Sequence, residues 1–450
     1  MPDINRFYYS PTAGFGYDFS WLSQAILFGA YQWLGGAGIA ILNAVVAGFI
    51  FYFLYKLLER DSTNMLASFV VLCLALVTIA AYLSGRPAMF TVAFFTAELY
   101  ILSGWAGYRG AENGGREYRY LIWLIPLMTA LWTNLHPGFI VAPLLVLLFV
   151  PLGGDARRRR VLAGCLAATG AAVMLNPYGW RMYLMPFETV RSLSMLRGLT
   201  EWTGVSGLEA VVWGCLAALV TCGLSLRRQS LPVVVLVAVA ALAAGLSNRN
   251  MPLFGVVMVF VIGRTLLPAL APWLGRSGFA RKFDVRFEAA GGWFWAFAIP
   301  LLFVGAERLR IPLADLSFDL SAYPSGAVEY IEGHNCPDRL FVRESWSSYV
   351  LWALPDRQLF YDAKGGFSRA ATQAHSELVK PKPGWRNVVD RFNLSTMLLE
   401  SGTPLAVLLG EAADWRRVFA DSLSEVFVRT PSDSGQSRNS CSTGSIPAGD

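Results

Sequence analysis

The chain is poor in charge. Of its 450 residues, 15% are Asp, Glu, Lys or Arg and 55% are hydrophobic, against roughly 25% charged residues in soluble domains. Histidine is scarce, at three residues, and the six cysteines show no zinc-ligand spacing, so no metal site is read from them. Cys73, Cys165, Cys215 and Cys222 fall inside apolar blocks, where a thiol serves as a small apolar group. Cys336 and Cys441 lie outside such blocks, but Cys441 sits in a Ser- and Gly-rich tail, which disfavours a pair. No internal repeat is found, which disfavours a transporter built from repeated halves. The loop arginines raise the pI to about 9.0 without forming a basic face, so no nucleic-acid partner is expected. The leading stretch "MPDINRFYYSPTAGFGYDFSW" has no apolar core of a signal peptide.

What the chain has instead is long apolar blocks, of the ~20-residue length that a ~30 Å hydrocarbon layer demands. A large soluble helical protein is the alternative, and the recurrence of so many blocks argues against it. Ten spans are read, at about Ala37–Tyr55, Asn64–Leu83, Met89–Tyr108, Tyr120–Leu135, Gly138–Leu152, Val161–Leu175, Leu208–Leu226, Leu231–Leu246, Met251–Pro268 and Gly292–Gly305. Residues 1–36 precede them as an amphipathic or interfacial segment. After about Arg308 the hydropathy drops and strand-sized pieces appear, "RLFVRE", "QLFYDA", "STMLLES" and "EVFVR", between helix-like ones, "PSGAVEYIEG" and "EAADWRRVFAD". Such alternation predicts a small α/β domain over residues 308–430, followed by a polar, disordered tail over 431–450.

The loops alternate in basic charge. One set, including Lys56, Arg60, Arg109, Arg157 to Arg160, Arg227 and Arg228, holds fifteen cations; the other, Arg6, Arg86, Arg181, Arg191, Arg197 and Arg249, holds six. The positive-inside rule makes the richer set cytoplasmic. The amino end, the His136 loop and the carboxyl third then face outward. An outward amino end without a signal peptide implies either unaided translocation or a first helix missing from the chain.

The unusual polar residues collect on that outer face. Its connections read "GRPAMF" (Arg86), "TNLHPG" (Asn134, His136), "NPYGWRMYLMPFETVRSLSMLRGLTEWTG" (Asn176, Arg181, Glu188, Glu201) and "SNRNMP" (Arg249). A guanidinium there suits a phosphate, whose oxygens match its fork of donors; snorkelling or helix capping is the plainer alternative. His136 is open to the same two readings, as a cap facing the helix dipole or as a phosphate or proton contact. Trp21, Tyr178, Trp180, Tyr183 and Trp202 read as interfacial anchors. Glu98 is a carboxylate inside a span, where such groups are costly and often functional.

The succession "WLSQAILFGAY", "GRPAMFTVAFFTAELYIL", "LWTNLHPGF", "LNPYGWRMYLMPFE", "EWTG" and "NRNMPLFGVV" resembles bacterial polytopic membrane proteins related to the GT-C glycosyltransferases. The stretch from "YPSGAVEYIE" to "VFVR" resembles that family's extracytoplasmic tail domain, so the likeness runs from about Pro2 to Arg429. The resemblance implies a GT-C-like bundle over residues 37–307 in a bacterial inner membrane, with the tail domain outside. It implies a polyprenyl-phosphate sugar as donor, an extracytoplasmic acceptor and a membrane-lipid environment. It fixes no cofactor, leaves a divalent metal open, and says nothing of oligomeric state. Inverting transfer needs a carboxylate as base and cations for the leaving phosphate. Asp18 and Asp3, then Glu201 and Glu188, are the carboxylate candidates; Arg86, Arg249, His136 and Arg181, with Asn134 and Asn176, are the phosphate candidates. Relatives usually begin with one more helix and an acidic first outer loop, and carry an acidic residue directly before "WLSQ"; Ser20 stands there in this chain, with Asp18 two residues earlier. Asp362 matches an acidic position of the tail domain, where a turn-forming aspartate is the plain alternative. A transporter, supported by Glu98, and a non-catalytic assembly protein are the competing expectations.

The orientation is testable by reporter fusion in a bacterial host. Alkaline phosphatase joined after Arg429 is expected to be active and after Arg160 inactive; the reverse result overturns the topology.

Overall fold

The computed structural model of the chain describes residues 8–10, 20–60, 64–83, 85–105, 118–152, 155–187, 207–226, 229–274, 276, 278, 320–361 and 369–430. The chain forms two compact units, Phe19–Ser317 and a discontinuous one made of Met1–Asp18 with Phe318–Asp450.

The larger unit is helical. Its helices are α1 (Trp21–Glu59), α2 (Met65–Ile79), α3 (Ala88–Trp105), α4 (Leu124–Leu135), α5 (Val141–Phe149), α6 (Ala156–Val173), α7 (Gly207–Leu226), α8 (Leu231–Leu246), α9 (Met251–Arg264) and α10 (Leu266–Leu274). α1 extends well before the Ala37 start expected for the first span. Its 39 residues bend at Gly35, whose φ of 59° and ψ of −144° fall where only glycine sits without strain. α2 and α6 are started by side-chain caps: Asn64 Oδ1 accepts from the Ala67 N–H at 2.9 Å and Asp155 Oδ1 from the Arg158 N–H at 2.8 Å. Each supplies an acceptor to a first-turn N–H that has no partner within the helix.

α9 is the centre of this unit. Nearly every residue from Met251 to Gly263 is buried, and it packs on α1, α2, α7 and α8. A helix apolar all round is one surrounded by others. Two glycines permit the approach, since a Cβ on Gly255 would collide with the Thr78 hydroxyl and one on Gly263 with Leu58. At the far end of α1, the Arg60 guanidinium lies 3.7 Å from the Tyr100 ring centroid and donates to Tyr100 O and Ser103 Oγ, both at 2.8 Å. That cation is a structural lock between α1 and α3.

Among the described residues two helices, Trp21–Glu59 and Ala88–Trp105, are long and apolar enough to cross a membrane; a third span arises if Asn248–Arg264 and Leu266–Trp273, bent by 46°, count as one. Shorter apolar helices, such as Met65–Ile79 and Leu231–Leu246, accompany them. Large apolar side chains, among them Trp33, Ile41, Val77, Leu127 and Leu242, are exposed on these helices. Apolar surface of this kind marks membrane association. Ten spans are more than the described helices establish, and the expected span at Gly292–Gly305 lies outside the described residues.

The smaller unit carries a four-stranded mixed sheet in the order β1-β2-β4-β3, with β1 at Leu340–Val342, β2 at Thr396–Glu400, β3 at Trp415–Ala420 and β4 at Ser424–Arg429. β1 and β2 are parallel, as a long crossover requires; helices Glu344–Ala353, Arg369–Val379 and Trp385–Phe392 lie along it. β3 and β4 form a hairpin, whose turn is held by Asp421 Oδ1, accepting from the N–H groups of Leu423 at 2.8 Å and Ser424 at 2.6 Å. Three of the expected strand pieces are β1, β2 and β4, and "PSGAVEYIEG" contains the helix Ser325–Gly333. Two expectations are corrected. "EAADWRRVFAD" contains β3 and not a helix: a register shift between Arg417 and Phe419 puts Trp415 and Val418, three apart, both inside, imitating helical spacing. "QLFYDA" contributes isolated bridges only, with Leu359 beside Leu340 and beside Tyr8 from the amino end. Tyr8 is buried in this core, and the Tyr9 hydroxyl donates to Leu340 O at 3.1 Å. Cys336 is disulfide-bonded; Cys441, the partner weighed from sequence, lies outside the described residues.

His375 is buried in the same core, stacked on Tyr361 at 4.4 Å between ring centroids and 5.5 Å from the Phe341 ring. Burial holds its imidazole down to about 4, below the ~6.5 of an unfolded chain. A depressed histidine contributes stability above the unfolded value and loses it as pH falls from ~6.5 toward 4, about 3 kcal/mol in all. Hydrogen-exchange protection factors at the β2 amides of the full chain, which correct for the intrinsic pH dependence of exchange, should therefore fall over that window, and His375→Phe should flatten the dependence.

Candidate functional site

The polar residues expected on the outer face divide into two kinds once placed. Asn134, in the last turn of α4, and Asn176, in the turn after α6, are 8% and 7% exposed. Asn134 Oδ1 accepts from the Trp21 indole N–H at 3.0 Å and from Asn176 Nδ2 at 3.3 Å. Asn134 Nδ2 donates to Ala130 O at 2.8 Å and to Leu175 O at 2.9 Å. Asn176 Nδ2 also donates to Thr133 O at 2.9 Å, and its Oδ1 accepts from the Tyr178 N–H at 3.0 Å. These amides join α1, α4 and the end of α6, and their hydrogen-bonding capacity is spent on that task. Trp21, read from sequence as an interfacial anchor, is one of their partners.

His136 is held differently. It closes α4 in an extended conformation, φ −160° and ψ 144°, and caps the 3₁₀ turn Pro137–Ile140 that follows. Pro137 at the first position of that turn has no N–H to satisfy. The imidazole Nδ1 accepts from the Gly138 N–H at 3.1 Å and lies 2.7 Å from Thr91 Oγ1. Thr91, in the first turn of α3, in turn accepts from the Trp132 indole N–H at 2.9 Å. Gly138 permits this, because a Cβ there would collide with the Thr91 hydroxyl.

Arg249 sits in the 3₁₀ turn Asn248–Asn250 before α9. That turn is tied to the bundle by the Tyr82 hydroxyl, which donates to Asn248 O at 3.3 Å, and by Asn250 Nδ2, which donates to Ala243 O at 3.1 Å. Burial first, and the Arg249 guanidinium second, hold the His136 imidazole down to about 3. The ring is therefore neutral at ordinary pH and within electrostatic reach of a cation. Arg86 is exposed immediately before α3, five residues ahead of Thr91, and Arg181 is exposed in the 3₁₀ turn Gly179–Tyr183. Asp18 and Glu201, and with them Asp3, Glu188 and Asp362, lie outside the described residues. Among the described residues no three His, Cys, Asp or Glu side chains converge as a metal site would need.

Thr91, Trp132 and Gly138 were not singled out from the sequence. Thr91 lies in an apolar run, "AMFTVAFF", where its contact with a residue 45 positions away has no local signal. No protein family and no curated protein matches the chain.

Asn134→Ala should strand Leu175 O and the Trp21 indole N–H and cost about 2–3 kcal/mol. In thermal unfolding of the detergent-solubilised chain it should fall well below Arg181→Ala, which removes an exposed side chain; equal midpoints would contradict the bridging role.

Proposed function

We propose that the chain is a GT-C-like membrane glycosyltransferase, moving a sugar from a polyprenyl-phosphate carrier to an extracytoplasmic acceptor. The observation that supports this most is a neutral, half-buried His136 within electrostatic reach of the Arg249 guanidinium, in an apolar helical unit. A lipid phosphate brings a negative charge to such a place, and a guanidinium with a neutral N–H donor meets it without leaving two cations in contact. The proposal includes about ten spans in a bacterial inner membrane and an extracytoplasmic carboxyl domain.

In the transfer, a carboxylate takes the proton of the acceptor hydroxyl and that oxygen attacks the anomeric carbon. The carbon–oxygen bond to phosphate breaks, and its electron pair stays on the lipid phosphate. Asp18 or Glu201 is proposed as the base. Arg249 and His136, joined by Arg86 and Arg181, are proposed to hold the phosphate as charge gathers on it. Donors aimed at developing charge are worth roughly 10²–10³ in rate apiece.

A second reading, a transporter, has one observation behind it. Glu98 is 1% exposed in the middle of α3, and its Oε1 has no hydrogen-bond partner among the described residues.

Membranes carrying the chain should transfer label from a radiolabelled polyprenyl-phosphate sugar. Arg249→Ala should lower turnover by about 10²–10³ and Arg249→Lys should retain part of it. Full activity in Arg249→Ala would refute the phosphate role; absence of turnover by folded wild-type protein would refute the transferase. Solute uptake abolished by Glu98→Gln would favour the transporter.

A further inference from the structure

We propose that Trp132, Thr91 and Gly138 are positioning residues that fix His136 as its Nε2–H tautomer, so that the neutral ring donates a hydrogen bond to a phosphate oxygen beside Arg249. The ligand half rests on the phosphate reading above; the tautomer half does not.

The assignment follows from counting protons. The Gly138 backbone N–H can only donate, and it meets Nδ1 at 3.1 Å. A proton on Nδ1 would face it directly, so Nδ1 carries a lone pair. The Thr91 hydroxyl, 2.7 Å from the same nitrogen, must then donate to it. Thr91 Oγ1 also accepts from the Trp132 indole N–H, which can only donate, at 2.9 Å, and that contact leaves the hydroxyl hydrogen available for Nδ1. Trp132 is itself fixed, 1% exposed and stacked on Phe94 at 5.7 Å between ring centroids. The Gly138 amide thus sets the direction at Nδ1, and the Trp132 indole holds in place the hydroxyl oxygen whose hydrogen points to that nitrogen.

The consequence falls on the other nitrogen. In a neutral imidazole whose Nδ1 is an acceptor, Nε2 holds the proton. His136 Nε2 makes no hydrogen bond to a described residue and is not among the fully buried polar atoms. It is a donor with some exposed surface and no partner among the described residues, on a ring within electrostatic reach of Arg249. A donor beside a guanidinium selects an oxyanion and rejects a cation or an amine. The imidazolium form would set a second N–H against the Gly138 donor and a second positive charge near Arg249. His136 therefore binds by donating a hydrogen bond and does not serve as a source of protons.

The test reads the ring directly. The full chain is labelled with ¹⁵N-histidine in detergent micelles, and His136→Gln identifies its pair of signals among the three histidines. At neutral pH the spectrum should show an unprotonated Nδ1 and a protonated Nε2. Thr91→Val, which removes the hydroxyl, and Gly138→Ala, which pushes it away, should each introduce an Nδ1-protonated population; Thr91→Ser should restore the single tautomer. Dodecyl phosphate should shift the Nε2 signal in wild type and fail to do so in Arg249→Ala, while dodecyl maltoside should leave it in place. An Nδ1–H or imidazolium ring in wild type, or an unchanged tautomer in both Thr91→Val and Gly138→Ala, overturns the positioning role. A correct tautomer blind to dodecyl phosphate overturns the ligand. Neither readout requires sugar transfer, so loss of the transferase reading would show in the radiolabel assay alone.

Discussion

A primary amide buried among apolar helices must find partners for two donor hydrogens and for its oxygen, or cost several kcal/mol. Asn134 finds all of them, and in doing so sets the geometry of its end of the bundle. Its oxygen receives Trp21 from α1 and Asn176 from beyond α6; its nitrogen reaches Ala130 within α4 and Leu175 across the interface. Three chain segments are thereby held at fixed distances. His136 follows two residues later, so the imidazole inherits its place from that amide.

The same constraint sorts polar residues that look alike in sequence. Asn134 and His136 are neighbours in "TNLHPG", yet one has its hydrogen-bonding capacity consumed by the fold and the other has a nitrogen in reserve. Arginines differ in setting as well. Arg60 lies over Tyr100 and donates to the backbone of α3, and is architecture. Arg249 stands on a turn anchored by the groups around it, with its charge felt at His136.

Much of the helical unit was legible because burial in an apolar bundle writes itself as long runs of apolar residues, and such runs survive errors of a few positions. Boundaries were less so: α1 reaches Trp21, well before the block that announced it, because its first turns are mixed in character and bend at Gly35. β3 was misread since a bulge makes two inward side chains three residues apart, and a one-dimensional period cannot distinguish a bulged strand from a helix. At the site, His136 and Arg249 stood out as polar residues where apolar ones were expected. Thr91 and Trp132 did not, being a small and an aromatic residue inside runs that favour both. Their importance lies in which atom each can donate or accept, a property of contacts between distant segments.

The pairing of Tyr8 with Leu359 also orders events in time. The segment around Tyr8 belongs to a core whose other wall is made more than three hundred residues later in synthesis. At ~5–20 residues per second, synthesis leaves that segment waiting for tens of seconds. Throughout that interval the apolar helices between the two stretches are being made, so the smaller unit closes only after them, as a clasp whose two parts are produced on either side of those helices.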